Sequence, residues 1–175
     1  VKRGDKEAVA EHQVLLTIQD KLKKGEWSGP ESPPHLHLLT AKPVLYVLNT
    51  SAAGENLIAE IKNKIPGPVV EIDPVFEEGL DRLITASYEL LGLITFFTTG
   101  EDETRAWTIK QGWTAPEAGT AIHTDFQDKF IRAEVVHCDD LLKSGSYAVA
   151  REKGLVRTEG REYVVRDGDV IEFKI

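Results

Sequence analysis

From Thr104 onward the chain repeats one pattern. Short alternating runs rich in β-branched and aromatic residues are separated by turn residues and by brief helical stretches. Thr104-Arg-Ala-Trp-Thr-Ile109 alternates and reads as a strand. Pro116 opens a short helix that ends near Ile122, with Glu117 in its first turn. Phe130-Ile-Arg-Ala-Glu-Val-Val136 alternates again, and residues 146–153 read as a short packing helix before Gly154. Tyr163-Val-Val165 and Val170-Ile-Glu-Phe-Lys-Ile175 are separated by Asp167-Gly168-Asp169, a strong signal for a turn between two strands. The pattern predicts one small α+β module at the C-terminal end.

The first half carries a different grammar. Lys42-Pro-Val-Leu-Tyr-Val-Leu48 is nearly all apolar after its proline, as a parallel strand buried on both faces is. Residues 52–65 follow as a helix with Leu57, Ile58, Ile61 and Ile65 on one face, ended by Pro66-Gly-Pro68. Val69-Val-Glu-Ile72 is a second short strand, which completes a β-α-β unit with a right-handed crossover. Asp73 and Pro74 read as the N-cap and first position of another helix, with Phe76, Leu80, Leu83, Ile84, Leu90 and Leu91 as its apolar stripe. Residues 1–24 read as a helix in which Ala8, Leu15 and Leu22 repeat at seven, with Glu11 and Ile18 in the intermediate register. Gly25 stops it, and residues 27–35 read as a linker.

Composition narrows the function classes. A net charge of −8 argues against a protein coated in nucleic acid, without excluding a local basic face. The lone cysteine, Cys138, rules out an internal disulfide framework and fits a reducing cytoplasm. No apolar run approaches the roughly 20 residues of a membrane span. The expected setting is therefore cytoplasmic, with no membrane partner. A monomeric state is a further expectation that does not rest on composition.

Four phrases carry a resemblance to a known family. Phe96-Phe-Thr-Thr-Gly100, Glu103-Thr-Arg-Ala-Trp-Thr-Ile109, Ala121-Ile-His-Thr-Asp-Phe126 and Phe130-Ile-Arg-Ala-Glu-Val135 resemble the C-terminal part of the YchF (Obg-like ATPase) family of P-loop nucleotidases. The order of elements, closing on Asp167-Gly-Asp-Val-Ile-Glu-Phe173, resembles a TGS domain, a ubiquitin-like β-grasp. The fold class expected is thus α/β plus α+β. Residues 1–34 form a coiled-coil helix and linker, residues 35–91 the C-terminal part of a P-loop nucleotide-binding domain, and residues 92–175 the TGS domain. In this reading the helix at residues 1–24 resembles the second arm of the family's inserted coiled coil.

What the resemblance implies about function is specific. The resemblance implies a parent protein that hydrolyses ATP or GTP with Mg²⁺, and its expected partner is the ribosome or RNA. Asn49 and the Thr50 backbone match the start of the family's base-reading Asn-x-x-Glu, at the carboxyl end of the first parallel strand, where ligands of open α/β sheets sit. The fourth position is Ala52 rather than Glu, and Glu55 is out of register. The other role open to Asn49 is to cap the following helix. No G-x-x-x-x-G-K-[ST] phosphate loop occurs, so the chain is expected not to hydrolyse nucleotide alone, and the loop is expected in a segment preceding it.

The remaining candidates are surface groups. Arg105, Lys110, Lys129, Arg132 and Arg166, with Trp107, Trp113 and Phe126 as stacking surfaces, make an RNA-contacting face, although acids including Asp125, Asp167 and Asp169 interleave with them as on an ordinary solvated surface. His123 and Asp125 read as turn formers rather than a catalytic pair, with Thr124 and Asp125 satisfying backbone donors. His35 and His37 read as loop residues rather than a metal pair. His137, Cys138, Asp139 and Asp140 resemble a ligand set in composition, but strand alternation is expected to point neighbours apart. A second reading of the whole is a non-catalytic β-grasp module that binds protein.

Overall fold

A computed structural model describes residues 6–29, 32–51, 55–100 and 103–175. The chain divides into two compact units at Leu83 and Ile84. No helix among the described residues is long and apolar enough to cross a membrane.

In the first unit, helix α1 (Lys6–Lys23) ends just before Gly25, as its pattern predicts. Only Ile18 on it is buried, Ala8 and Leu15 are half-buried, and Val9, Val14, Leu16 and Leu22 are exposed. Residues 1–5 of the expected helix lie outside the described residues. Two short 3₁₀ turns, Pro34–Leu36 and Leu39–Ala41, follow in place of a plain linker. Ser28 is buried and shares a 3.0 Å hydrogen bond with Thr40. His35 and His37 sit on or beside the first turn, not on a strand, and His35 Nε2 lies 3.2 Å from Glu11.

The β-α-β unit is present. Strands β1 (Tyr46–Asn49) and β2 (Val69–Ile72) pair in parallel, with helix α2 (Glu55–Lys62) between them in sequence. Residues 52–54 of the expected helix lie outside the described residues. The expectation that β1 is buried on both faces fails. Its residues alternate, with Val47 and Asn49 exposed. The physical reason is that β1 has β2 as its one partner among the described residues, and a two-stranded sheet lacks the two covering layers that a fully buried strand needs.

Asp73 does not cap a helix. Its Oδ1 accepts from the backbone N–H groups of Val75 and Phe76, and residues 73 and 78 bond each other in both directions. Glu77 closes this tight loop at a φ of 57°, and Gly79 follows at 82°, where a Cβ would meet Glu71 O at 2.4 Å. A left-handed residue is incompatible with a helix interior, so helix α3 (Leu80–Leu91) begins only afterwards and Phe76 is left exposed.

The second unit is a five-stranded mixed sheet. Its strands are β3 (Leu93–Thr99), β4 (Thr104–Lys110), β5 (Arg132–His137), β6 (Arg157–Glu159) and β7 (Asp169–Lys174), in the order β4-β3-β7-β5-β6. The pair β3–β7 is parallel and the others are antiparallel. One core packs Ile94, Phe96, Ile109, Ala133, Val135 and Ile171 with Ala115 and Ala118 of helix α4 (Ala115–Gly119). Phe173 is met edge-on by Phe96, Phe126 and Phe130, with ring centroids 5.6–6.3 Å apart. A second cluster of Val136, Ala150 and Val170 takes in residues of helices α6 (Cys138–Ser144) and α7 (Tyr147–Glu152). A single turn of helix, α5 (Asp125–Asp128), follows α4.

Residues 163–165 are not a strand partnered with β7. They bridge back to residues 113–115, with Ala115 N donating to Tyr163 O at 2.8 Å and Val165 N to Trp113 O at 3.0 Å. The turn at 167–169 is instead stitched to β3 and to the first residue of α6. Gly168 N donates to Thr95 O, Cys138 N donates to Gly168 O, and Thr95 N donates to Asp167 Oδ1. β7 thereby enters the sheet between β3 and β5.

Helix α4 begins with a capping box. Glu117 Oε2 accepts from Thr114 N at 2.7 Å and from its hydroxyl at 2.8 Å. These bonds, the backbone one foremost, hold the Glu117 carboxyl below its ordinary value of 4.5. A lowered folded value adds stability that is present above pH 4.5 and lost as pH falls through the folded value. A Glu117→Gln variant is expected to unfold at a lower temperature than the parent at pH 7, and the two melting curves should converge as pH falls through the lowered folded value.

Candidate functional site

Asn49 ends β1, and Thr50 follows it. The Thr50 N–H donates to Ile72 O at 2.9 Å and its hydroxyl donates to the same oxygen at 3.1 Å. The backbone donor of Thr50 is therefore used by the parallel ladder. Asn49 Oδ1 accepts from Ser51 N at 3.1 Å and from Ser51 Oγ at 2.7 Å, a local turn; the start of the helix that Asn49 is expected to cap lies outside the described residues. Among the described residues its Nδ2 has no partner. Ala52 lies outside the described residues, and Glu55 is the first residue of α2.

The cations read as an RNA-contacting face, Arg105, Lys110, Lys129, Arg132 and Arg166, do not converge. Neighbours on a strand point to opposite faces. Arg105 shares the face of Trp107 and buried Ile109, whereas Lys110 lies on the other. Arg132 is on the face opposite Ala133 and Val135 of the first core. Lys110 is level with Leu93 and Arg132 with Lys174, so about eight strand steps, roughly 26 Å, separate them lengthwise. Lys129 is held by Asp125 at 2.5 Å; this bond holds the Asp125 carboxyl below its ordinary range and raises the Lys129 ammonium. The best-formed group is Arg105, whose guanidinium stacks 4.3 Å from the centre of the Trp107 ring. Trp107 is itself fixed by a 2.9 Å bond from Nε1 to Thr98 Oγ1.

Two expectations about these side chains need correction. Trp107, Trp113 and Phe126 are all half-buried, because each packs inward rather than presenting a free face. In the His123 turn, the imidazole Nδ1 accepts from Asp125 N at 3.1 Å, so histidine and not aspartate satisfies the backbone donor.

The group that sequence reasoning missed is Asp169. It was placed with the solvated acids, yet it is 1% exposed. Its Oδ2 accepts from the Tyr163 hydroxyl at 2.7 Å and from Arg166 N at 2.9 Å, while Arg157 Nη2 stands 3.9 Å from Oδ1. Arg157 also donates to Tyr163 Oη at 3.1 Å. Asp169 and Arg157, with His137, Asp140, Leu155 and Arg166, line a cavity of about 360 Å³. The available signal was position: Asp169 sits where the alternation of Val170 and Ile171 begins, and a charge there is buried only when it is paired.

Comparison with known proteins gives this geometry a family. Residues 93–175 match YchF-GTPase_C, described as "Protein of unknown function (DUF933)". The chain is 42% identical to the Ribosome-binding ATPase YchF of Bacillus subtilis, an alignment that covers 99% of this chain and 58% of that protein. It is 36% identical to the protein of the same name in Escherichia coli O157:H7, covering 98% of this chain and 57% of that one. The structure of the Schizosaccharomyces pombe YchF GTPase superposes with a TM-score of 0.81 at 27% identity, over 99% of this chain and 57% of that one. The chain belongs to the YchF family. It spans somewhat over half the length of the YchF relatives it matches. The alignment with the B. subtilis YchF runs over 212 residues, more than the 175 of this chain, so that relative carries additional residues within the matched stretch. The match extends through both units, including β1 and Asn49, which sequence phrases alone anchored less firmly than the C-terminal end.

Proposed function

We propose that this chain is the base-reading and ribosome-contacting portion of a YchF-type ATPase, with ATP or GTP and Mg²⁺ bound in the whole protein. The observation that carries the reading is the continuous similarity, through both units, to proteins named ribosome-binding ATPases. The position of Asn49 supports the nucleotide part. Its Oδ1 is turned to Ser51, which leaves the Nδ2 hydrogens to donate to a purine ring acceptor beyond the carboxyl end of β1. The β-grasp reading of the second unit is supported by β7 entering between the first and third strands of that unit, with α4 packed on one face. Phosphoryl transfer needs a phosphate cradle and its lysine, which this sequence does not contain, so hydrolysis is assigned to the whole protein.

The deciding experiment is co-sedimentation of the chain with ribosomes across a salt series. Association that weakens steeply with salt is expected, as phosphate contacts release counterions. A shallow slope would instead favour a protein partner, and failure to co-sediment at low salt overturns ribosome contact by this portion. In the whole protein, Asn49→Ala is expected to weaken nucleotide binding about tenfold, the value of roughly one hydrogen bond. Co-sedimentation should be unchanged by that substitution, and a fluorescent nucleotide titration reads the affinity.

A further inference from the structure

At the junction of β5 and α6, three consecutive side chains of different ligand type converge. His137 Nδ1 lies 4.0 Å from Cys138 Sγ, Cys138 Sγ lies 3.9 Å from Asp139 Oδ1, and His137 Nδ1 lies 3.9 Å from Asp139 Oδ2. Strand alternation would have pointed these neighbours apart, but the strand ends at His137 and the helix starts at Cys138. The change of backbone from extended at His137 to helical at Cys138 brings all three onto one side. We propose that His137, Cys138 and Asp139 form a three-ligand site for a thiophilic divalent cation, with zinc(II) as the reference ion.

The chemistry and the distances fit. Tetrahedral zinc takes thiolate sulfur at about 2.3 Å and imidazole nitrogen or carboxylate oxygen at about 2.0–2.2 Å, which sets ligand atoms roughly 3.3–3.6 Å apart. The two Asp139 approaches use different oxygens, and with one atom per residue the ligand atoms lie within 4.8 Å of one another, so closure needs about 0.5–1.3 Å of shortening, which an exposed aspartate and a thiol can supply by side-chain rotation. Nδ1 of His137 accepts from Asp139 N at 3.3 Å, so in the neutral ring the proton sits on Nε2 and the Nδ1 lone pair faces the cluster. Ligation exchanges that long bond for a metal bond.

The backbone under the site is fixed independently. Cys138 N donates to Gly168 O at 2.8 Å, and a Cβ at Gly168 would lie 2.8 Å from His137 Nε2 and 3.2 Å from Cys138 Sγ. Both side chains are thus packed on the 167–169 turn. Cys138 also lines a cavity of about 730 Å³ together with Leu93, Phe97 and Asp167. Three protein ligands leave one coordination position for water. The bound ion would tie the end of β5 to the first turn of α6.

The test is titration of the chain with Co²⁺ as a spectroscopic stand-in for Zn²⁺. Because Cys138 is the only cysteine in the chain, any thiolate-to-cobalt charge-transfer band in the near ultraviolet belongs to it. The expected result is one ion per chain, tetrahedral visible bands, and bleaching by Zn²⁺. Cys138→Ser should abolish the charge-transfer band. Asp139→Asn, which keeps the backbone donor to His137, should weaken Co²⁺ binding at least about tenfold while circular dichroism stays native, a loss typical of disturbing a metal site. Absence of the band at equimolar Co²⁺ overturns the proposal. So does a band that survives Cys138→Ser, or one of equal affinity in Asp139→Asn or in the urea-unfolded chain.

Discussion

Replacing Asp169 by alanine is expected to destabilise the second unit by about 3–5 kcal/mol, from the loss of two hydrogen bonds to a buried charged acceptor at roughly 1.5–3 kcal/mol each. The carboxylate is buried and is the shared acceptor for the Tyr163 hydroxyl and the Arg166 backbone N–H. Its loss leaves both donors without their acceptor and removes the charge that faces Arg157. Tyr163→Phe removes two bonds, the one given to Asp169 and the one received from Arg157, but no charge, so it should cost about 1–3 kcal/mol. The two substitutions share a partner and should combine less than additively in urea unfolding. A cost for Asp169→Ala below about 1 kcal/mol would overturn the role given to this network. There is also a pH signature. Burial, and then the bond to Asp169, pushes the Tyr163 hydroxyl from 10.0 up to about 12. A raised folded value adds stability that is complete below pH 10 and lost as pH rises towards 12. Tyr163→Phe should therefore show a smaller alkaline loss than the parent. Part of the loss should remain, because burial also raises Tyr147 to about 12.

Local patterning carried most of the architecture. The alternating runs at 104–109 and 130–136 became β4 and β5, and Thr114 with Glu117 closed α4 as a capping box. Failures fell where a tertiary partner overrode a local preference. Asp73-Pro74 has the composition of a helix start, yet Glu77 and Gly79 adopt left-handed conformations and turn the segment into a loop. Asp167-Gly168-Asp169 has the composition of a hairpin, yet its hydrogen bonds run to Thr95 and Cys138, residues far away in sequence. Periodicity reports which face a residue takes within its own element. It does not report which strand the element will meet, so the burial of Asp169 and the gathering of His137, Cys138 and Asp139 were invisible to it. The cations illustrate the same limit. Arg105 and Lys110 lie five apart on one strand, and the odd spacing sends them to opposite faces of the sheet.

Gly168→Ala is the second large effect, expected at about 2–4 kcal/mol. Two costs add at this position. The backbone φ of 79° lies in the left-handed region, where a Cβ costs about 1–2 kcal/mol. The added methyl would also stand 2.8 Å from His137 Nε2 and 3.2 Å from Cys138 Sγ, an overpacking that costs about 1–3 kcal/mol. Neither neighbour retreats freely, since His137 Nδ1 is bonded to Asp139 N and Cys138 N is bonded to Gly168 O. Relief must come from the turn itself, whose N–H is bonded to Thr95 O at 2.8 Å on the adjoining strand. The two costs can be separated experimentally. His137→Ala in the Gly168→Ala background removes the nearest clashing atoms but leaves the backbone strain, so it should recover part of the lost stability. If the double variant is no more stable than expected from simple addition of the two single effects, the packing contribution is wrong and the backbone conformation alone explains the glycine.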